Sequence, residues 1–149
     1  MRRRTALAAL PLALLAVAGT VLPAAAAAPG FSTAALSGAA EVPGPGDPDG
    51  SGFARVLAKP NQSEVCTFII YRGIATPTGA HIHEGGPDVA GPIVVDFTPL
   101  IGTSPVNVVR GCTTTTPELA ADIAANPEEY YVNVHNGIYP AGAIRGQLG

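Results

Sequence analysis

The sequence is short of the residue patterns on which hydrolysis and nucleic-acid binding usually depend. No cluster of basic residues follows Arg4, which argues against nucleic acid and anionic lipid as partners. No serine lies in a nucleophile-elbow pattern, so a hydrolase is not indicated. The pair Gly85-Gly86 follows a predicted strand without opening a helix, which argues against a phosphate-binding loop.

The N-terminus has the pattern of an export signal. Arg2-Arg3-Arg4 precedes an apolar segment from Ala6 to Leu22, and the small residues Ala24 to Ala28 follow. No cysteine stands directly after this run, which argues against a lipid anchor. We therefore predict a signal peptide over residues 1–28 and one domain over residues 29–149, secreted or in the cell envelope, with no membrane attachment after cleavage.

Removal of this segment makes the charge of the chain strongly acidic. The whole sequence has eight basic and eleven acidic residues, and the predicted mature chain keeps five of the basic ones. Its formal net charge is then −6, which again disfavours nucleic acid and anionic lipid as partners.

The two cysteines, Cys66 and Cys112, both lie in the predicted exported part. An oxidising compartment favours a disulfide between them, and closing a loop of this length stabilises the fold by roughly 4 kcal/mol in the chain-entropy model. A disulfide would also leave nitrogen and oxygen atoms as the ligands for any metal ion.

Glycine and proline punctuate the chain, with 18 and 15 copies that separate short apolar runs. The spacing of these runs predicts an all-β, antiparallel sandwich or barrel. The predicted strands are Phe31 to Ser37, Gly52 to Ala58, Val65 to Gly73, Gly79 to Glu84, Ile93 to Thr98, Val106 to Arg110, Tyr130 to His135 and Ala143 to Leu148.

One short helix is predicted in the C-terminal third of the chain. Thr115 or Thr116 is expected as its N-cap, with Pro117 in the first turn. Asn126-Pro127 is expected to end it, so the helix is only about three turns long and would cover one end of the sheet.

The most informative stretch is Ala80-His81-Ile82-His83, which alternates apolar residues with histidines. In a strand, successive side chains point to opposite faces, so the two imidazoles would share one face. The third histidine of the chain, His135, follows an alternating run in which Val132 and Val134 oppose Asn133 and His135. If the two strands are neighbours, all three histidines could converge on a metal ion.

The last predicted strand adds further polar groups near this face. Arg145 would join Asn133 and His135 if the last two strands pair. It could orient an anion or form an ordinary ion pair with Glu84 or Asp88, and both alternatives stay open. Arg145, Asn133 and Glu84 are thus the candidates for groups around the metal ligands.

Four segments together resemble the CHRD, or chordin-domain, family: Ala80 to Gly85, Gly91 to Val95, Tyr130 to His135, and Gly142 to Leu148. Two further segments, Leu36 to Pro43 and Ile123 to Pro127, extend the resemblance over nearly the whole predicted mature chain. The resemblance implies a secreted, single-domain β-sandwich module of the type found in bacteria.

A weaker resemblance concerns the site alone. His81-Ile82-His83-Glu84 looks like the copper-binding strand of Cu/Zn superoxide dismutases, and His135 and Arg145 stand where that family has its last copper ligand and anion-guiding arginine. The resemblance implies a Greek-key fold, superoxide-dismutase-like or immunoglobulin-like, and copper bound by the three histidines. A fourth histidine and the zinc-binding cluster of that family are missing here.

Three functions follow as expectations. The first is a non-enzymatic module in which His81, His83 and His135 bind copper, or zinc as the second choice. The second is an adhesion or matrix module that binds an extracellular protein or glycan and has no metal. The third is a copper-dependent enzyme that acts on superoxide or another redox substrate, which would need an open coordination position.

Overall fold

A computed structural model describes residues 27–149 of the chain. The predicted signal peptide, residues 1–28, therefore lies almost entirely outside the described residues. Within residues 27–149, no helix combines the length and the apolar character needed to cross a membrane.

Eight strands and one α-helix make up the described part of the chain. The strands are β1 (Gly30–Ser37), β2 (Ser51–Lys59), β3 (Glu64–Arg72), β4 (Pro77–Glu84), β5 (Ile93–Asp96), β6 (Val108–Thr114), β7 (Tyr130–Asn136) and β8 (Ile144–Gln147), and the helix is α1 (Pro117–Ala125). Short 3-10 turns fill several of the connections. The expected eight strands and single helix are thus confirmed.

All eight strands belong to one antiparallel sheet in the order β5-β4-β7-β8-β1-β2-β3-β6. The sheet curls into a nearly closed barrel, so the predicted all-β antiparallel class is confirmed. Strands β4 and β7 pair side by side, although β5, β6 and α1 separate them in the sequence. This pairing of β4 with β7 decides where the histidines meet.

The barrel interior is filled by the apolar residues that alternate along the strands. Their inward positions follow the period of two that a half-buried strand requires. The fully buried members include Ala54, Val56, Val65, Ile69, Ala80, Ile82, Phe97, Val109, Val132, Val134 and Ile144. Because Ala80 and Ile82 on β4 and Val132 and Val134 on β7 all point inward, the residues between them point outward.

Helix α1 begins as the sequence predicts. Thr116 is the N-cap, and its hydroxyl accepts a hydrogen bond from the Leu119 amide at 3.1 Å. Ala120 and Ile123 are buried and pack against β1, β2 and β3. The helix thus covers the end of the barrel formed by these strands.

The predicted disulfide is present between Cys66 on β3 and Cys112 on β6, which are direct cross-strand partners. Strand β6 itself differs from the prediction, since it starts at Val108 and runs on to Thr114. Asn107 has a positive φ of 65°, so the extended strand cannot begin before it. The run of threonines after Cys112 then continues the pairing with β3.

Candidate metal centre

Strands β4 and β7 place the three histidines on one outward face of the sheet. His81 lies opposite Asn133, and Gly79 lies opposite His135. A Cβ atom at position 79 would approach His81 Cε1 to 2.9 Å and His135 Cδ2 to 3.4 Å. The missing side chain of Gly79 therefore leaves the space in which the His81 ring sits against His135.

The three imidazoles converge as the alternation of the two strands predicts. The ring centroids of His81 and His135 are 4.9 Å apart, those of His81 and His83 are 5.7 Å apart, and those of His83 and His135 are 6.2 Å apart. One nitrogen of each ring lies within 4.8 Å of the corresponding nitrogens of the other two. Inward ring movements of about an ångström would bring these nitrogens to the roughly 2.0–2.1 Å bonds of a metal–imidazole site.

The second nitrogen of each ring is held by the surrounding protein. His83 Nδ1 donates to the Gly91 carbonyl at 2.9 Å, and His135 Nδ1 donates to the Pro140 carbonyl at 3.0 Å. A carbonyl only accepts, so the proton must be on Nδ1 and the lone pair on Nε2 in both rings. His81 is held the other way round, because its Nε2 lies 3.2 Å from the Thr98 hydroxyl and 3.5 Å from an Asp96 carboxylate oxygen.

The other nitrogen of each ring has no partner in the described part of the protein. His81 Nδ1, His83 Nε2 and His135 Nε2 are buried and have no hydrogen-bond partner among the described residues. Three buried, unpaired acceptors in one place are costly unless a ligand satisfies them. Metal-binding histidines show this same arrangement, in which the second nitrogen is fixed by an acceptor so that the first is aimed at the ion.

Burial also keeps the rings in the form that binds metal. Desolvation lowers the pKa of His83 and His135, and it lowers the pKa of His81 to about 4, with the neighbouring histidines adding to the effect. The neutral imidazole is the ligand form. At neutral pH, therefore, no proton has to leave the three unpaired nitrogens before a metal ion enters.

A stack of three side chains supports His83 from the side of β8. The Tyr131 ring lies parallel to the His83 ring, with centroids 4.7 Å apart, and the Arg145 guanidinium lies 3.4 Å from the Tyr131 centroid. The Tyr131 hydroxyl accepts a hydrogen bond from the Gly91 amide at 3.1 Å. Tyr131 thus binds Gly91, and the carbonyl of Gly91 in turn binds His83.

Arg145 is only 1% exposed and contacts the loop between β4 and β5. Its two terminal nitrogens donate to the carbonyls of Gly86 and Val89 at 2.7 and 2.9 Å. An anion guide would have to reach solvent, whereas this guanidinium is turned toward the loop. Within residues 27–149, it forms no ion pair with Glu84 or Asp88.

Asn133 and Glu84, the two other residues predicted to lie around the metal ligands, have different surroundings. Asn133 is buried beside the histidines, and its side-chain nitrogen donates to both carboxylate oxygens of Glu41 at 2.8 and 2.9 Å. Glu84 is exposed at the end of β4 and, by strand alternation, lies on the face opposite to His81 and His83. The structure therefore brings Asn133 to the histidine cluster and keeps Glu84 apart from it.

Glu41 belongs to the surroundings of the site but was not expected there. It is 5% exposed, and burial raises its pKa to about 7, against the opposing effects of Arg145 and Asn133. Its sequence neighbours, small residues and prolines, give no pattern from which burial could be predicted. The signal in the sequence is that Glu41 lies in the segment from Leu36 to Pro43, which contributes to the resemblance to the CHRD family.

The fold and the cluster together define a small all-β domain with a preassembled set of three neutral nitrogen donors. The chain belongs to the CHRD-domain family, since the family model for the CHRD domain matches residues 32–148. Comparison with curated proteins and with solved structures finds no match.

Proposed function

We propose that this CHRD domain is a metal-binding module in which His81, His83 and His135 hold one copper ion. The observation that carries the proposal is a cluster of three histidines with ligand nitrogens within 4.8 Å of one another, in which each ring has one buried, unpaired nitrogen and one nitrogen close to a protein oxygen. Imidazole suits copper and zinc, and copper has the higher affinity for a given nitrogen site. Zinc is therefore the second choice.

The donor set itself favours a transition metal over calcium or magnesium. Both of those ions take oxygen ligands, whereas the three convergent atoms here are all nitrogen. The thiolates that would compete for copper or zinc are paired in the disulfide between Cys66 and Cys112. The Asp96 carboxylate lies behind His81 and orients the ring rather than joining the cluster.

The test is metal titration of the protein, prepared without a histidine tag, with Cu(II) and with zinc in separate experiments. We expect one copper per chain, bound more tightly than zinc. His83→Ala and His135→Ala should each lower copper affinity at least a hundredfold. Thr98→Val, which removes only the hydroxyl near His81 Nε2, should lower it much less, because Asp96 still faces that nitrogen.

Retention of a stoichiometric, tight copper ion in both alanine variants would refute the proposal. So would the absence of copper binding in a wild-type protein whose thermal melt shows a folded domain. Because CHRD domains occur in secreted proteins, we also propose that the domain acts outside the cytoplasm after export.

Assays of the copper-loaded protein would show whether the domain also catalyses a redox reaction. Three protein ligands leave room at the ion for water or a small substrate, which such chemistry needs. Superoxide removal that depends on bound copper and disappears in His83→Ala would add an enzymatic role to the binding module.

A further inference from the structure

The basic residues of the domain are collected on one side of the barrel. Strands β1, β2, β3 and β6 carry Arg55, Lys59, Arg72 and Arg110, and their single acidic residue is Glu64, which pairs with Lys59 at 3.4 Å. In the rest of the described chain, Arg145 is the one arginine or lysine, and it is buried. The outward surface of β1, β2, β3 and β6, called here the arginine–phenyl face, is thus positive on an otherwise acidic domain.

The same face exposes most of the phenylalanine of the chain. Phe31, Phe53 and Phe68 are 64%, 37% and 39% exposed, while the fourth phenylalanine, Phe97, is fully buried in the barrel. A single exposed apolar side chain is ordinary, but a group of rings on one face indicates an interaction surface.

Rings and guanidinium groups alternate across the strands. The register places Arg55 opposite Phe68, and Phe68 opposite Arg110, so one ring lies between two cations. Since neighbouring strands are about 4.8 Å apart, the two arginine backbones are separated by about 10 Å. The Arg55 guanidinium also lies 5.9 Å from the centroid of the Phe31 ring.

Two shallow depressions lie along this face. One, of about 210 Å³, is lined by Phe31, Arg55 and Phe68 among others, and the second, of about 240 Å³, is lined by Phe53 and Arg72 among others. Phe68 and Arg72 are four residues apart on β3, so the depressions are about 13 Å from one another. Both are smaller than the cavities of 300–1,000 Å³ or so that enclose small ligands, and each suits a ring that lies flat on it.

We infer that the arginine–phenyl face binds an acidic polysaccharide built from uronic acids. A pyranose ring presents an apolar C–H surface that packs on a phenyl ring, and its carboxylate matches the two-pronged fork of arginine. A linear chain of such units carries a ring and a carboxylate in each repeat. Each of the two depressions correspondingly offers a phenyl ring and a guanidinium group. This inference does not rest on the metal site, which lies on β4 and β7.

Other occupants fit the face less well. In a symmetric dimer, this positive face would meet a second positive face, which like-charge repulsion disfavours. Nucleic acid presents a charge every 1.7 Å or so along a duplex, a density that the three arginines of this face, Arg55, Arg72 and Arg110, do not match. An acidic protein shares the carboxylates but offers no regular series of flat rings.

The experiment measures binding of polygalacturonate to the protein expressed from its full sequence, in the presence of EDTA and again after copper loading. Neutral dextran, poly-L-glutamate and oligo(dT) are the comparison ligands. We expect polygalacturonate to bind at least tenfold more tightly than the other three, equally with and without copper. A failure of the copper proposal would leave this result unchanged.

The variants separate stacking from charge. Phe68→Ala and, independently, Phe53→Ala should each weaken polygalacturonate binding at least fivefold, and Arg55→Lys should weaken it although the charge is kept. Val106→Ala, at an 88% exposed apolar residue outside this face, is the matched control and should bind like the wild type. All of these side chains are exposed, so thermal melts should stay close to that of the wild type.

Equal or tighter binding of poly-L-glutamate would overturn the inference in favour of an acidic protein partner. Preference for oligo(dT) would overturn it in favour of nucleic acid. Absence of polygalacturonate binding, or binding that survives both phenylalanine substitutions, would also refute it.

Discussion

At the scale of single residues, the three histidines differ from surface histidines in the surroundings of both ring nitrogens. One nitrogen of each ring is close to a protein oxygen, and the other is buried with no partner among the described residues. His81 presents Nδ1, whereas His83 and His135 present Nε2. In the proposed site, these three nitrogens are therefore the atoms that would bind the ion.

Glu41 leads to a prediction about pH and stability at the same scale. Its pKa rises from 4.5 to about 7 on folding, so the unfolded chain loses this proton at lower pH than the folded chain does. The stabilising contribution is complete below about pH 4.5 and is lost as the pH rises through 7. Glu41→Gln removes this loss, and its stability relative to the wild type should rise by on the order of 3 kcal/mol across that window.

Urea unfolding of the metal-free protein at pH 4.5, 6 and 8 measures this difference. Glu84→Gln, at an exposed carboxylate on the opposite strand face, is the control for the removal of one carboxyl group. A gap between Glu41→Gln and the wild type that stays constant from pH 4.5 to 8 would contradict the account.

At the scale of elements, the loop between β4 and β5 links Arg145 to the proposed metal site. The guanidinium holds the carbonyls of Gly86 and Val89, and the same loop supplies the Gly91 carbonyl that fixes His83. The side chain of Gln147 binds the loop as well, through the Gly85 carbonyl at 2.9 Å. Side chains of β8 thus hold in place the loop that binds His83.

Replacing Arg145 should therefore loosen the loop and weaken metal binding without removing a ligand. Arg145→Met takes away both loop contacts, and we expect copper affinity to fall about 10–100-fold, as for the loss of other groups that orient metal ligands. Hydrogen exchange should speed up in residues 85–91 but not in β2 or β3. Arg110→Met, at an exposed arginine on β6, is the matched control and should change neither quantity.

A folded Arg145→Met protein with wild-type copper affinity would show that the loop keeps His83 in place by itself. Faster exchange throughout the barrel would instead indicate that Arg145 stabilises the whole fold and has no specific link to the site.

At the scale of the whole molecule, the histidine cluster and the disulfide lie on different strands of the sheet. The histidines are on β4 and β7, whereas Cys66 and Cys112 join β3 to the edge strand β6. The bond closes a loop of 46 residues and should stabilise the domain by roughly 4 kcal/mol. Loss of this bond should lower the melting temperature and leave copper binding by the histidines unchanged, provided that no free thiolates are left to compete for the ion.

The double variant Cys66→Ser, Cys112→Ser tests this separation, because it cannot supply thiolates in place of imidazoles. We expect lower stability in urea and the same copper affinity as in the oxidised wild type. Loss of copper binding in this variant while it is still folded would mean that the disulfide end of the sheet supports the site.

The local parts of this architecture follow from the sequence, and the long-range parts do not. The alternation of Ala80 and Ile82 with the histidines predicts their shared face, because strand periodicity is a property of adjacent residues. The convergence with His135 depends on β4 pairing with β7, which no local pattern fixes. The burial of Arg145 and Glu41 is less predictable still, since charged side chains are normally exposed and both are covered by loops.

The most direct test of the central claim is a crystal structure of the copper-loaded protein with anomalous diffraction data collected at the copper edge. We predict one anomalous peak per chain, within bonding distance of His81 Nδ1, His83 Nε2 and His135 Nε2. A peak at any other place, or a peak bound by fewer than three of these nitrogens, would contradict the account.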